Sequence, residues 1–279
     1  MPRFSANLHF LFTERPFLDR FAAAAAAGFQ AVEFPDPYAH SLPELCRRLR
    51  DHRLTCVLVN APMGDRTKGE RGLACLPDRV DEFRAGVARA IAVAEARACP
   101  RINCMAGRLP DSGPPRGRAG SHPVDAFAKP SGMEEARATL VDNLRFAAAA
   151  CAVAGLEVCL EPLNPVDDPL FFLTGCAAAM EIIHAVAAPN LRLQFDCYHR
   201  QLAEGDVEGW LVRAAPLLGH VQVGDVPGRH EPGSGRIPYP RLFSLLDDVG
   251  YSGWVGAEYH PSRPTEETLS WMTAWHTRP

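Results

Sequence analysis

The chain has 279 residues, 47% of them hydrophobic and 22% charged, a composition that excludes wholesale disorder and suits a globular protein. With 29 Lys and Arg against 33 Asp and Glu its net charge is −4, so no general attraction draws it to nucleic acid or to an anionic membrane. No apolar run reaches the ~20 residues of a membrane helix. The start, Met1-Pro2-Arg3-Phe4, lacks the apolar core of a signal peptide. Nine cysteines, an odd number without a CxxC pair, fit reduced thiols in a cytoplasmic protein.

Short β-branched or apolar runs alternate with stretches of 3.6-residue apolar spacing. In chain order the pattern predicts strand 4–8, helix 17–27, strand 31–34, helix 42–52, strand 54–60, helix 77–96, strand 101–105 and helix 133–154. It continues with strand 157–161, helix 177–187, strand 191–196, helix 207–214, strand 220–223, helix 239–249, strand 255–259 and a last helix from about residue 265. Gly28, Gly155 and Gly250 each fall just past a helix, where glycine most easily makes the left-handed cap. Eight strands alternating with eight helices predict an α/β chain folded as one (β/α)8 barrel, for which ~250 residues is a typical length. The rival, an open doubly wound sheet, lacks its GxGxxG fingerprint here. No linker divides residues 1–279. One segment breaks the rhythm: 108–132, rich in Pro, Gly and Ser and carrying Arg108, Arg116, Arg118 and Lys129. It reads as a loop insertion after the fourth strand, either a plain surface loop or a lid or subunit contact.

Nearly every predicted strand ends in a polar residue: Asn7, Glu33, Asn60, Asn103, Glu161, Asp196, Gln222 and Glu258. The C-terminal strand ends of a barrel converge on one rim, where barrel chemistry gathers. Glu161, Asp196, Gln222 and Glu258 come from four successive strands. Three carboxylates crowded into one crevice repel one another. Either each is paired locally by Arg or Lys, or a divalent cation binds them together, and an all-oxygen donor set suits Mg²⁺ or Mn²⁺ better than Zn²⁺.

The chain resembles the hydroxypyruvate isomerase family, within the xylose isomerase-like TIM barrels. The resemblance lies in Ala6-Asn7-Leu8 with Leu11-Phe12-Thr13-Glu14, in Gly64-Asp65 with Gly69-Glu70-Arg71-Gly72, and in Ile102-Asn103-Cys104 with Ala106-Gly107. It continues through Glu161-Pro162-Leu163-Asn164, Gln194-Phe195-Asp196-Cys197-Tyr198-His199, His220-Val221-Gln222, the run from Asp225 to Gly233, and Glu258-Tyr259. It implies a metal held by Glu161, Asp196, Gln222 and Glu258, with Glu161 and Glu258 as the acid/base pair. The chain departs from the family at Arg236, where an acidic residue is usual, in the length of 108–132, and in 65–68, which lacks an expected tryptophan.

An isomerisation beside a carbonyl needs a proton taken from carbon, which leaves negative charge on oxygen. A divalent cation can stabilise that charge while two flanking carboxylates move the proton. The expected substrate is a small hydroxy-oxo acid, hydroxypyruvate or tartronate semialdehyde, with a four-carbon 2-oxotetronate or a sugar epimerisation as alternatives. A metal-dependent hydrolase or endonuclease is the rival of another class, and a catalytically silent binding protein is a third. His199 is either a structural histidine at a helix start or a substrate contact, as at this spacing in related epimerases. Arg229 is either a surface residue or a bidentate clamp on a substrate carboxylate. Asn7, Asn60 and Asn103 either bind substrate hydroxyls or fix the rim. His9, His230 and His260 are candidates for the layer behind. No nucleic-acid or membrane partner is expected, and the sequence allows a homo-oligomer.

Overall fold

The computed structural model describes residues 2–109 and 132–272. The insertion expected at 108–132 therefore lies almost wholly outside the described residues, with Arg116, Arg118 and Lys129. Eight parallel strands close in sequence order into a barrel: β1 (Arg3–Asn7), β2 (Ala31–Glu33), β3 (Thr55–Asn60), β4 (Arg101–Asn103), β5 (Glu157–Leu160), β6 (Leu191–Asp196), β7 (Leu218–Val223) and β8 (Trp254–Ala257). Around them lie α1 (Arg20–Ala26), α2 (Leu42–Asp51), α3 (Val80–Glu95), α4 (Met133–Val153), α5 (Cys176–Val186), α6 (Cys197–Ala203), α7 (Val207–Ala214) and α8 (Tyr239–Asp248).

Local chemistry accounts for these elements. In α2, Pro43 sits in the first turn after Ser41, Arg48 and Arg50 lie in the last turn, and Leu45 and Leu49 are buried four residues apart. This is helix-start and dipole chemistry with one apolar stripe. In α3 the buried residues are Phe83, Val87, Ala90 and Ala94, the spacing of a single core-facing stripe. Fully burying each larger apolar side chain gives about 1.5–3 kcal/mol, so such stripes, rather than helix propensity, fix the outer ring.

Two elements differ from the sequence pattern. Helix α6 is unforeseen: it has seven residues, starts directly at the end of β6, and buries Cys197, Tyr198, His199 and Arg200 in succession, so it shows no apolar period. The last predicted helix begins instead as a 3₁₀ turn, Thr265–Thr268. All nine cysteines are free thiols.

The register aligns the C-terminal ends. Asn7 pairs with Glu33, Asn60 with Asn103, and Asp196 with Gln222. Side chains alternate along a strand, so the residue two positions earlier forms the layer beneath: Ser5, Gln194, His220 and Gly256. Gly256 has a steric reason. A Cβ there would lie 2.5 Å from Glu33 Oε2, so its absence lets the Glu33 carboxylate lie across the barrel interior.

Candidate active site

A pocket of about 140 Å³ opens at the C-terminal end of the barrel, lined among others by Glu161, Gln222, Glu258, His199 and Arg229. Glu161 follows β5 and Glu258 follows β8. Beneath them, among the described residues, runs a hydrogen-bonded network of buried side chains. Asn7 Nδ2 donates to Glu258 Oε2 at 2.6 Å and to Glu33 Oε1 at 3.0 Å. Gln222 Nε2 donates to Glu258 Oε2 at 2.5 Å and to Glu33 Oε1 at 2.7 Å. Glu33 Oε2 lies 2.6 Å from His220 Nε2. On the far wall Asn103 Nδ2 donates to Glu161 Oε2 at 2.9 Å. Neither Asn7 nor Asn103 lines the pocket, and both are fully buried. Each holds a glutamate in place, whereas Asn60 lines the pocket itself.

Asp196 has two duties. Oδ1 accepts from the Tyr198 N–H at 2.8 Å and caps α6, while Oδ2 accepts from Arg229 Nη2 at 2.7 Å. The same Arg229 nitrogen donates to Glu258 Oε1 at 2.7 Å. The arginine stands over the rings of Phe10 and Tyr198 at 4.7 and 4.9 Å. Arg229 therefore ties Asp196 to Glu258 through Nη2 while also lining the pocket, so it is not the surface residue that one of the two sequence readings allows.

The loop carrying Arg229 is built around Asp225. Its carboxylate accepts four backbone N–H bonds, from Val226, Gly233, Gly235 and Ile237, at 2.8–3.0 Å. Arg229 itself has φ 55°, a left-handed conformation that a non-glycine residue holds only when its surroundings impose it. Hydrogen bonds to a charged acceptor are each worth roughly 1.5–3 kcal/mol. Asp225→Ala should therefore cost about 3 kcal/mol or more of stability and release Arg229. Thermal melts and near-UV dichroism check this, and an unchanged Tm refutes the loop-organising role.

The electrostatics follow from burial. Glu161 is pushed well above the usual carboxylate range by burial, then by the nearby Glu258 and Asp196 charges. Burial raises Glu258 to about 8, with Asp196 and Glu33 adding to it and Arg229 opposing. Asp196 is raised by burial despite Arg229 and the N–H bonds that favour its charge. Burial works against the Arg229 charge, yet Asp196, Glu258 and Glu161 outweigh it and hold the guanidinium protonated. Ionised together, the three carboxylates against one guanidinium would leave an excess of two negative charges; the raised pKa values resist that state, and a divalent cation would cancel it. Ligand atoms of Glu161, Asp196 and His199 lie within 4.8 Å of one another. The donor set fits a hard divalent metal.

Two amides qualify that donor set. The Gln222 oxygen accepts from Gln194 Nε2 at 2.7 Å, so its nitrogen, not its oxygen, faces Glu258. Gln194 Oε1 is buried without a partner. Turning both amides would pair the Gln194 oxygen but set the Gln222 oxygen against Glu258 Oε2 and Glu33 Oε1, an arrangement that needs a cation or a proton between those oxygens. The second amide is Asn164, whose Oδ1 is fixed by the Val166 and Asp167 N–H groups at 3.0 and 2.8 Å. Its Nδ2 therefore points at His199 Nδ1, 2.6 Å away. Burial, then Arg229, keeps His199 well below its ordinary pKa and neutral. With Nδ1 accepting, the ring proton sits on Nε2, 3.7 Å from Asp196 Oδ2. His199 is thus a hydrogen-bond donor toward the pocket rather than a metal ligand.

Sequence reasoning passed over Gln194, His220, Asn164, Arg66 and Arg71. Strand alternation is a signal for the first two, since each lies two residues before a strand-end residue. The other three lie in loops without periodicity. His9 lines the pocket, while His230 Nδ1 bonds the His260 carbonyl at 2.7 Å. Arg236 is exposed.

A parallel eight-stranded barrel with an acidic pocket at its C-terminal rim is the plan of a barrel enzyme. The sequence model described as "Xylose isomerase-like TIM barrel" matches residues 21–275, and the chain belongs to that family. The 2-oxo-tetronate isomerase of Cupriavidus necator is 45% identical over 272 residues, 98% of each chain. The hydroxypyruvate isomerase of Escherichia coli is 43% identical with the same coverage. A crystal structure named AP endonuclease, family 2, from Brucella melitensis superposes with a TM-score of 0.89 at 38% identity, covering 99% of both chains. Among the described residues no helix is long and apolar enough to cross a membrane.

Proposed function

We propose that the protein is an isomerase of a small hydroxy-oxo acid, interconverting hydroxypyruvate and tartronate semialdehyde, with four-carbon 2-oxotetronate as the alternative substrate. The observation that carries the reading is the pair Glu161 and Glu258 on opposite walls of one small pocket, in a chain alike over nearly its whole length to relatives bearing these two names. Glu161, Asp196, Glu258 and Gln222 would hold the metal, with Mg²⁺ or Mn²⁺ the choice that oxygen donors favour. When bound, the cation supplies positive charge against the oxyanion of the enediolate.

The rest is the work of the chain's own groups. One glutamate takes the proton from the hydroxyl-bearing carbon, and electrons move onto the carbonyl oxygen to give the enediolate. The hydroxyl proton passes to the former carbonyl oxygen and a proton is returned to the former carbonyl carbon, so a new carbonyl forms, no electron leaves the substrate and no redox cofactor is needed. His199 Nε2–H donates to a substrate oxygen. Asn103 and Asn7 fix the two glutamates, and Arg229 holds Glu258 and Asp196 apart at set distances. The endonuclease reading is less well supported, because a pocket of about 140 Å³ with excess negative charge suits a few-carbon molecule rather than a DNA backbone.

Incubation with hydroxypyruvate or 2-oxotetronate and Mn²⁺ in D₂O, followed by proton NMR, should give the aldehyde isomer and solvent deuterium at carbon. No conversion of either acid would sink the reading. Asp196→Asn preserves the α6 cap, since asparagine caps well, but removes the charge. It should weaken Mn²⁺ binding by at least roughly 10- to 100-fold, the scale seen even for groups behind the ligands, and lower turnover with it. Calorimetric titration checks this, and native affinity would exclude Asp196 as a ligand.

A further inference from the structure

The cations that face the pocket are unequally committed. Arg229, deep inside, commits Nη2 to both Asp196 and Glu258, so it is held at the acidic floor of the pocket. At the mouth, the loop between β3 and α3 brings Arg66 and Arg71 to line the same pocket. Arg71 Nη1 stands 3.7 Å from Asp168 Oδ2, beyond a good hydrogen bond. That carboxylate is already taken by Arg108 Nε at 2.8 and 2.9 Å. Arg66 Nη1 stands 3.6 Å from Asp36 Oδ2. Both arginine side chains are half exposed, at 50% and 56%. Glu70, between them in sequence, is turned to Arg79 Nη1 at 3.0 Å and to the Asp65 N–H at 2.6 Å, so its charge is answered elsewhere.

The influence of Arg66 reaches inward. Burial lowers His9 to about 4, and Arg66 is the next cause. Arg71 lines the same pocket as His199. The floor of the pocket, by contrast, is acidic: Glu161 and Glu258, with Asp196 and Glu33 behind them. A substrate with a carboxylate at one end meets repulsion at the floor and attraction at the mouth.

We propose that Arg71 and Arg66 receive the substrate carboxylate at the pocket mouth and thereby orient the hydroxyl- and carbonyl-bearing carbons toward Glu161 and Glu258. This rests on the isomerase reading above and deepens it, since it makes the site selective for hydroxy-oxo acids over neutral ketoses and aldoses. This places the carboxylate contact on the loop after β3, beside the Arg229 that the loop after β7 supplies. A planar fork on a carboxylate is the geometry arginine serves best.

The test uses the full-length, Mn²⁺-loaded protein with Arg71→Gln, Arg71→Lys and Arg66→Gln. Arg213→Gln on α7 is the distant control. Losing a charge-assisted contact should raise KM for hydroxypyruvate about 10- to 100-fold in each glutamine variant, with kcat changed less than about threefold. Arg71→Lys should fall between wild type and Arg71→Gln. Affinity for hydroxymalonate, an unreactive anionic analogue, should fall in parallel by calorimetry, and inhibition by neutral dihydroxyacetone should hold steady. Unchanged KM and unchanged hydroxymalonate binding overturn the proposal. So does an equal loss of dihydroxyacetone inhibition, because that reports a deformed pocket. Absence of turnover by the wild type counts against the isomerase reading, and hydroxymalonate binding then still decides the role of the arginines.

Discussion

Glu161→Gln and Glu258→Gln should each reduce isomerisation by about 10²–10⁴-fold, the usual worth of a positioned acid or base, while leaving the barrel folded. Glutamine keeps the shape of the side chain and an oxygen that can ligate a metal, but it exchanges no proton at neutral pH. The surroundings also allow the change. Asn103 Nδ2 meets Glu161 at 2.9 Å, and the glutamine oxygen can accept that bond. Glu258 is more tightly enclosed, with Asn7, Gln222 and Arg229 all donating to it. Glu258→Gln gives one of those donors a nitrogen to face, so it should also lose about 1–3 kcal/mol of stability, which Glu161→Gln should not. The two variants differ in a second way. Where one glutamate abstracts and the other delivers, a variant lacking only the delivering group still exchanges substrate hydrogen with solvent. Deuterium uptake from D₂O by NMR, run beside turnover, separates the two roles. Near-native turnover by both variants with metal bound would end the two-carboxylate mechanism.

The barrel was legible because a parallel barrel writes its order directly into the chain: each apolar run is followed by one amphipathic helix, and β1 to β8 close in that order. The strand-end residues were legible for the same reason, since the last inward position before the rim must be polar if it meets solvent or substrate. Other features are relations rather than patterns. Arg229 reads as a free cation until the Asp225-centred loop folds it back onto Asp196 and Glu258. Asn7 reads either as a substrate contact or as a residue fixing the rim until the closure of β1 against β8 brings it under Glu258. His199 carries its tautomer only through Asn164, 35 residues away in sequence. Arg66 and Arg71 lie in a loop without period, where only the folded pocket reveals that they share a mouth.

Removing the metal should turn the site into a pH-dependent weakness of the whole fold. In the metal-free protein Glu161, Asp196 and Glu258 all have raised pKa values, with burial the first cause. A carboxylate whose folded pKa lies above its unfolded value binds a proton in the native state that the unfolded chain has released. Its stabilising share is complete below the unfolded pKa and is lost as pH rises through the folded one. For Glu258 that window runs from the ordinary 4.5 to about 8. At about 1.4 kcal/mol per pKa unit, the loss is on the order of a few kcal/mol. For a chain of this size each kcal/mol moves Tm by roughly 2–4 °C. A chelated sample should therefore melt progressively lower between pH 5 and 8, by on the order of 5–10 °C relative to a Mn²⁺-saturated one. In the loaded protein the carboxylates are charged in the folded state as in the unfolded, and the decline disappears. Mn²⁺ affinity should rise over the same interval, because binding must displace the protons the apo site retains. Glu258→Gln removes one titrating group and should flatten the chelated curve in part. Parallel melting curves with and without metal, across this range, would mean that the three carboxylates are neutralised by the protein alone and that no cation is needed to hold them together.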